Sequence, residues 1–488
     1  TPQRERTRSR SSDFHHGLLA MILSLLSGSP GVAGQDGAPP AASASPASER
    51  PNVLFFILDD LNDWVGCLGG HPQALTPNID RLAARGVLFT NAHAPAPACN
   101  PSRVAVLTGI APHRSGLYDQ SPNFRDVWPD AITLPQHLRS LGYNPLGAGK
   151  VFHKPYPDPV SWDAFFPNKD LQIAPDSVQR RLVGTVGNHS AAAVDAEASS
   201  LGDGKVAEWV SAALSQPPAQ PFFLACGFHR PHDPWIAPAS HYAKFPLAEV
   251  QLPLSRSDDL ADVPKAALAM CYTPRADLEQ SRRAVQAYLA CISFTDALVG
   301  QVLDALDSSK CAQNTIVVLW SDNGFHMGEK QNWSKLTLWE ESTRVPLIVV
   351  APGVKAGQRC ARPVSLQDLY PTVMELCGLP PVEGIDGHSL VPLLEDSSAA
   401  WDRPALTTWG FQNHAVRSER WRYIRYADGS EELYDHEQDP NEWTNLAGDP
   451  RHDPVKLELS RWFPTENAPD VKAAKAKRAG TTFERPGR

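Results

Sequence analysis

Two kinds of apolar pattern alternate along the chain. Val53 to Leu58 is apolar at every position, as expected of a strand covered on both faces, and it ends in Asp59-Asp60. Tyr143 to Gly149 is a weaker run, interrupted by Pro145, and ends in Lys150. Phe222 to Phe228 ends in His229, and Thr315 to Trp320 ends, after Ser321, in Asp322-Asn323. Between these runs lie amphipathic stretches: Asn78 to Arg85, Leu134 to Leu141, Leu366 to Cys377, and a long one from Ser281 to Asp307. In the last, Val285, Leu289, Ile292, Val299 and Leu303 fall at near-helical spacing. The alternation predicts an α/β sandwich with a large, mostly parallel sheet. Ligands of open α/β sheets bind at the carboxyl ends of the strands. Four runs that each end in chemically capable groups therefore predict a site there.

A smaller region begins near Asp396. Trp421 to Tyr426 alternates like a strand, Asp428-Gly429 is a hairpin turn signal, and Glu432 to Asp435 follows. This predicts a small antiparallel sheet. The expected division is a catalytic domain over 51–395, a C-terminal subdomain over 396–465 and a basic, mobile tail over 466–488. Residues 1–34 read as a signal peptide: Arg4, Arg6, Arg8 and Arg10 precede the apolar run Leu18 to Leu26, and Val32-Ala33-Gly34 supplies small residues. The run is too short for an ordinary membrane span, and no stable membrane insertion is expected once it is removed. Residues 35–50, rich in Ala, Pro, Ser and Gly, read as a flexible linker. A periplasmic or secreted destination follows as an expectation.

Composition narrows the function. A chain of 488 residues with 42% hydrophobic content can bury a sizeable core. Its net charge of -9 argues against nucleic-acid binding and requires any anionic substrate to meet a locally positive pocket. None of the eight cysteines forms a CxxC pair, which argues against a zinc cluster. Cys226, Cys291 and Cys377 sit in apolar segments and read as small hydrophobes. Pairing of Cys311 with Cys360 is left open by the sequence.

The stretch Cys99-Asn100-Pro101-Ser102-Arg103-Val104-Ala105-Val106-Leu107-Thr108-Gly109 decides the reading. Pro101 suits the first turn of a helix, where its missing N–H costs little. Such a helix gathers Cys99, Ser102 and Arg103 at its N-terminal end, where the dipole and free N–H groups favour an anion. The segment matches the type I sulfatase signature C-x-P-S-R-x-x-x-L-T-G at every fixed position. The resemblance extends over about residues 50 to 450 and is nearest to iduronate-2-sulfatase-like members. Gly149-Lys150-Val151-Phe152-His153, Gly227-Phe228-His229-Arg230-Pro231-His232 and the stretch from Leu433-Tyr434-Asp435 to Asn445-Leu446 carry it.

The resemblance implies an alkaline-phosphatase-like fold and a sulfatase acting on a sulfated carbohydrate, of the uronate-2-sulfate or a related kind. It implies that a formylglycine-generating enzyme converts Cys99 to formylglycine. It assigns one calcium ion to Asp59, Asp60, Asp322, Asn323 and the modified Cys99, a set of hard oxygen donors that suits this ion. Asn323 departs from iduronate-2-sulfatase itself, which carries His there, while Asn is common in arylsulfatases. Arg103 is placed against the formylglycine, with Lys150 and Lys335 on the sulfate oxygens. His229 is the candidate acid for the leaving alcohol and His153 the candidate base for sulfate release. His232 is a candidate substrate contact. His326 and Trp333 read either as pocket lining or as packing, and Asp296 reads as structural. Two alternatives remain: a phosphatase or phosphonate/phosphodiester hydrolase of the same superfamily, and a catalytically silent binder of sulfated glycans.

Overall fold

The computed structural model describes residues 50–154, 156–166 and 182–472. The signal peptide, all but the last residue of the linker, and the tail beyond 472 lie outside the described residues. The strands of the main sheet are β1 (Asn52–Asp59), β2 (Val87–His93), β3 (Asn144–Gly149) and β4 (Ala164–Phe166). A separate three-stranded sheet is formed by β5 (Val183–Gly184), β6 (Ser190–Val194) and β8 (Trp235–Pro238), with β7 (Phe222–Pro231) returning to the main sheet. β9 (Thr315–Ser321), β10 (Arg344–Val350), β11 (Gln358–Cys360) and β12 (Val364–Ser365) complete it. The order is β11-β2-β10-β9-β1-β7-β3-β4, with β12 also on β2. β9, β1, β7, β3 and β4 run parallel, and β10 is antiparallel to both of its neighbours.

β1 explains why a continuous apolar run is needed. Leu54, Phe56 and Leu58 point into one core layer with the helix Leu278–Asp307, while Val53, Phe55 and Ile57 point into the other. The helix α1 (Pro77–Ala83) packs in the first layer, and the second is built on α2 (Cys99–Thr108) and the helix Leu369–Leu376. Each such fully buried side chain stabilises the fold by roughly 1.5–3 kcal/mol. The helix Leu278–Asp307 begins in a capping box, in which Gln280 N–H donates to Asp277 Oδ1 at 2.8 Å and Asp277 N–H to Gln280 Oε1 at 3.0 Å. By length and composition this helix is apolar enough to cross a membrane, but most of its residues are buried against the sheet as core. Asp296 on it accepts from the backbone N–H groups of Asn78 and Ile79 at 3.0 and 2.8 Å, so it caps α1.

The C-terminal sheet has four antiparallel strands, β13 (Ala405–Thr408), β14 (His414–Arg417), β15 (Trp421–Arg425) and β16 (Glu431–Asp435). Ala415, Ile424 and Tyr434 pack with Leu338 and Trp339, residues that precede β10. The tail departs from expectation at its start. Ala468 N–H donates to His113 O at 2.7 Å, Val471 N–H to Gly116 O at 3.2 Å, and Lys472 pairs with Asp119 at 2.9 Å. The segment from 468 to 472 is therefore docked, because its backbone groups find partners on the loop after α2. All eight cysteines are unpaired, Cys311 and Cys360 included, and Cys226, Cys291 and Cys377 are buried in the core.

Candidate active site

Four neighbouring parallel strands deliver the chemistry. Asp59 is the last residue of β1, Lys150 follows β3, His229 lies in β7 and Asp322 follows β9. Side chains alternate along a strand, so adjacent aspartates would normally face apart. The register of β1 against β7 shifts between Leu58 and Asp59, and Asp60 has a left-handed φ of 61°. Both carboxylates consequently reach Cys99, whose Sγ lies 3.5 Å from Asp59 Oδ1 and 3.8 Å from Asp60 Oδ1. A non-glycine residue held in this region costs about 1–3 kcal/mol and marks a functional constraint. Tyr288 fixes the turn: its hydroxyl donates to Asp60 O at 2.7 Å and accepts from Asn62 N–H at 3.0 Å.

α2 is wholly buried. Pro101 lies in its first turn, and Gly109 ends it in a left-handed conformation (φ 73°) in which its N–H reaches Ala105 O. Asn100 ties the start of the helix down, donating to Asp119 O at 3.2 Å and Pro122 O at 2.8 Å while its N–H meets Gln120 Oε1 at 2.8 Å. Ser102 Oγ donates to Asp322 O at 2.6 Å. Arg103 donates to Asp322 Oδ2 at 2.7 Å, Asp59 Oδ1 at 3.0 Å, Val151 O at 2.9 Å and Lys150 O. It thus ties the ends of β1, β3 and β9 to α2 rather than lying free beside Cys99. The positive φ of Gly149 (74°) turns Lys150 inward, and a Cβ there would meet Gly227 O at 2.0 Å. Lys150 Nζ bonds Asp59, and Lys335 Nζ bonds Asp60 and lies 2.9 Å from Cys99 Sγ.

The electrostatics follow from burial and pairing. Burial raises the pKa of Asp59, but Lys150, His232 and Arg103 outweigh it, so the carboxyl stays well below its ordinary range. Asp60 is lowered in the same way, chiefly by Lys335. Asp322 is pushed up to about 6, by burial first, with the nearby Asp59 and Asp60 charges adding to it against Arg103. His153 is driven down to about 3 by burial and then by the Lys150 charge, so it is neutral, and its Nδ1 is buried without a hydrogen-bond partner. Burial also lowers His229, opposed by Asp59, whose Oδ2 is 3.3 Å from His229 Nδ1. His232 Nε2 stands 3.7 Å from Asp60 Oδ2.

A cation site can be tested on these residues. Single ligand atoms of Asp59, Asp60, Asp322 and Cys99 lie within 4.8 Å of one another, all buried. Asn323 donates through Nδ2 to Asp60 Oδ1 at 2.8 Å, while its Oδ1 is buried with no partner. An unsatisfied buried amide oxygen beside three carboxylates fits a hard divalent cation.

The family model described as Sulfatase matches residues 51–379, and the model described as N-sulphoglucosamine sulphohydrolase, C-terminal, matches 328–467. This chain belongs to the sulfatase family. It is similar to a sulfatase of Formosa agariphila, with 38% identity over 86% of this chain and 87% of the other. It is also similar to iduronate 2-sulfatase of Mus musculus, with 31% identity over 70% and 71%, and to choline-sulfatase of Rhizobium meliloti, with 29% over 82% and 83%. In fold it resembles a solved 2-O GAG sulfatase, with a TM-score of 0.67, 24% identity and coverage of 88% and 93%. The phosphonate monoester hydrolase of Agrobacterium radiobacter gives a TM-score of 0.70 with 22% identity over 89% and 96%. The fold is the alkaline-phosphatase-like one, and the protein is a sulfuric ester hydrolase.

In this sulfatase Asp59, Asp60, Arg103, Lys150, His229, His232, Asp322, Asn323 and Lys335 are linked to Cys99 or to one another by hydrogen bonds or ion pairs, while His153 stands within the electrostatic influence of Lys150 and Asp59. His326 and Trp333 belong elsewhere. His326 is fully buried, bonded to Thr337 Oγ1 at 2.9 Å and Glu329 O at 3.2 Å, and Trp333 packs in the core with its ring against Gly328. Sequence reading missed Tyr288 and Asp203. Asp203 accepts from the N–H groups of His229 and Arg230 at 2.9 Å each, which fixes the histidine-bearing turn. The signal for it was Gly202-Asp203-Gly204, since a Cβ at Gly204 would meet Ala198 O at 1.8 Å. Tyr288 left no local signal, because its partners lie more than 200 residues away.

Proposed function

We propose that this sulfatase removes a sulfate monoester from a carbohydrate, a uronate 2-sulfate or a related unit of a sulfated polysaccharide. Cys99 as formylglycine and a calcium ion on Asp59, Asp60, Asp322 and Asn323 complete its site. The carrying observation is the convergence on Cys99 Sγ: Asp59 and Asp60 within 3.8 Å and Lys335 at 2.9 Å, inside a complete signature. Similarity to iduronate 2-sulfatase supports the uronate reading. Asn323, where that enzyme carries His, is the feature that leaves room for a related sugar.

The hydrated aldehyde supplies a hydroxyl that can attack sulfur and a second hydroxyl whose deprotonation lets sulfate leave. The cation supplies Lewis acidity and orientation. The chain's own groups do the rest. Lys150 and Lys335 face the sulfate oxygens. With a divalent ion, Asp59, Asp60 and Asp322 are outweighed by it together with Arg103, Lys150 and Lys335, so the pocket is net positive in a negative protein. His153, held neutral, has a free lone pair and serves as base. His229 is also held neutral when the site is free. A bound sulfate ester brings negative charge beside it, which favours the imidazolium that the leaving alcohol needs. His232 contacts the substrate from the same turn. The basic-then-apolar pattern from Arg4 to Leu26 supports export to the periplasm or beyond.

The test is sulfate release by the matured protein from a panel of 2-O-sulfated uronate oligosaccharides, other sulfated oligosaccharides, choline sulfate and matched aryl sulfate and phosphate esters. Release from the sulfated saccharides is expected. Turnover of choline sulfate alone would sink the carbohydrate reading, and faster turnover of the phosphate ester would move the enzyme to the phosphatase side of the fold.

A further inference from the structure

A cavity of about 260 Å³ lies between the turn after α2 and the C-terminal region. α2 starts at Cys99 and is about 15 Å long, and the cavity is lined by Ala111, which comes after its far end. Its walls combine two kinds of surface. Trp401 and Trp462 are half-buried, and the indole N–H of Trp401 is fixed on Pro363 O at 2.9 Å. Gln367, His113, Asp368 and His388 supply polar groups. Gln367 is only 6% exposed, yet its Nε2 has no hydrogen-bond partner, and His113 Nδ1 is buried without one as well. Asp368, also buried, accepts from Ser365 N–H at 2.9 Å and His388 N–H at 2.8 Å, which leaves each oxygen a further lone pair.

An unsatisfied buried amide costs about 1–3 kcal/mol, so a structure that keeps one beside a cavity fits a ligand that supplies an oxygen. Asp386 is paired with Arg114 at 2.7 Å, burial pushes Asp368 up to about 7, and Arg403 is exposed, so among the described residues no buried cation lines the cavity to hold a sulfate or carboxylate. Aromatic faces beside an amide donor, a carboxylate acceptor and imidazoles suit a molecule with apolar C–H faces and hydroxyl edges.

We propose that this cavity binds an uncharged pyranose unit of the polysaccharide, as an anchoring site separate from the catalytic one. The inference rests on the carbohydrate reading above. Anchoring a polymer at a second point raises the effective concentration of its sulfated units at Cys99 without touching the chemistry.

The test is affinity electrophoresis of the full-length protein through gels containing chemically desulfated chondroitin, chemically desulfated heparin or agarose. Retardation by at least one polymer is expected, weakened tenfold or more by Trp462→Ala and by Gln367→Leu, with turnover of 4-nitrocatechol sulfate unchanged. Gln367→Leu removes an unpartnered amide, so it keeps the fold even if Trp462→Ala does not, and its aryl-sulfate turnover checks this. Absence of retardation by all three polymers, or retardation equal in wild type and the Gln367 variant, overturns the proposal. The two readings fail separately. Sulfate released from saccharides with unaltered retardation sinks the anchoring site alone. Retardation lost in the variants, with no sulfate released from any saccharide, sinks the carbohydrate-sulfatase reading alone.

Discussion

Replacing Arg103 by Met tests whether this residue holds the site together. Its side chain is fully buried and bonds two carboxylates and two carbonyl oxygens. Methionine fills much of the volume, so the cavity contribution is small, and what is lost is the charge and four hydrogen bonds. Asp59 and Asp322 would be left buried with Lys150 and Lys335 as the remaining site cations. Removing one partner of a buried ion pair costs about 3–5 kcal/mol, and that is the loss expected in chelator. Calcium should narrow the gap. The variant site is more negative by one charge and binds the ion more tightly, and free ion at a hundred times its dissociation constant stabilises by about 2.7 kcal/mol. The assay is urea unfolding of wild type and variant in EDTA and in calcium, both with unmodified Cys99. A loss under about 1 kcal/mol in EDTA, or a larger gap in calcium than in EDTA, would refute the reasoning.

Other outcomes follow from the same geometry. His153→Ala should leave a sulfated enzyme visible by intact-mass measurement after mixing with substrate; absence of an adduct removes His153 as the base. Asn323→Ala should raise the calcium concentration needed for half-maximal activity by tenfold or more, read by titration after EDTA treatment, and an unchanged requirement removes Asn323 from the ligand set. Because Cys99 is fully buried, a formylglycine-generating enzyme should convert it in the unfolded chain or a peptide and not in refolded protein, as mass spectrometry of the Cys99 peptide will show. His414 is driven down to about 3 by burial, then by His113 and Arg425. Its native pKa lies below the unfolded value, so the unfolded chain takes up a proton first and stability falls as pH drops from about 6.5 to about 3. His414→Gln should flatten that slope by up to about 1.4 kcal/mol per pH unit in urea unfolding, and identical slopes would exclude the contribution.

How far the sequence carried the fold depended on where each signal lived. β1 and β9 were legible because a strand buried on both faces needs apolar residues at every position, whatever its register. β10 was not, because it opens with Arg344 and carries Pro346, and the pairing with β2 shifts register between Val345 and Leu347, across that proline. β6 reads Ser-Ala-Ala-Ala-Val, a composition with little strand preference, and takes its conformation from parallel pairing with β8. At the site, residues that act through their own side chains were found because each ends a strand or sits in a dense motif. Asp203 and Tyr288 escaped because they act on backbone groups of other segments and neither ends a strand nor sits in the signature, though the glycines flanking Asp203 marked its turn. His326 had the right residue type and the right neighbourhood, yet Thr337 and Glu329 O satisfy both its ring nitrogens.

The thiol at position 99 shows why the signature must be read with its surroundings. A nucleophilic cysteine needs a depressed pKa, which positive neighbours and a helix N-terminus ordinarily provide. Cys99 begins a helix and has Lys335 and Lys150 within 2.9 and 3.8 Å, so a reading from those neighbours alone would make it a reactive thiolate. The opposite holds: burial first, and Asp322 and Asp59 after it, push the thiol above its ordinary range despite the lysines. Each lysine is also committed to an aspartate, Lys150 to Asp59 and Lys335 to Asp60. Three carboxylates within reach of one sulfur suit a hard oxygen nucleophile held beside a cation and make a poor setting for a thiolate. The geometry thus favours the proposed formylglycine over a thiolate, and the same carboxylates that silence the thiol are the ones that would hold the ion.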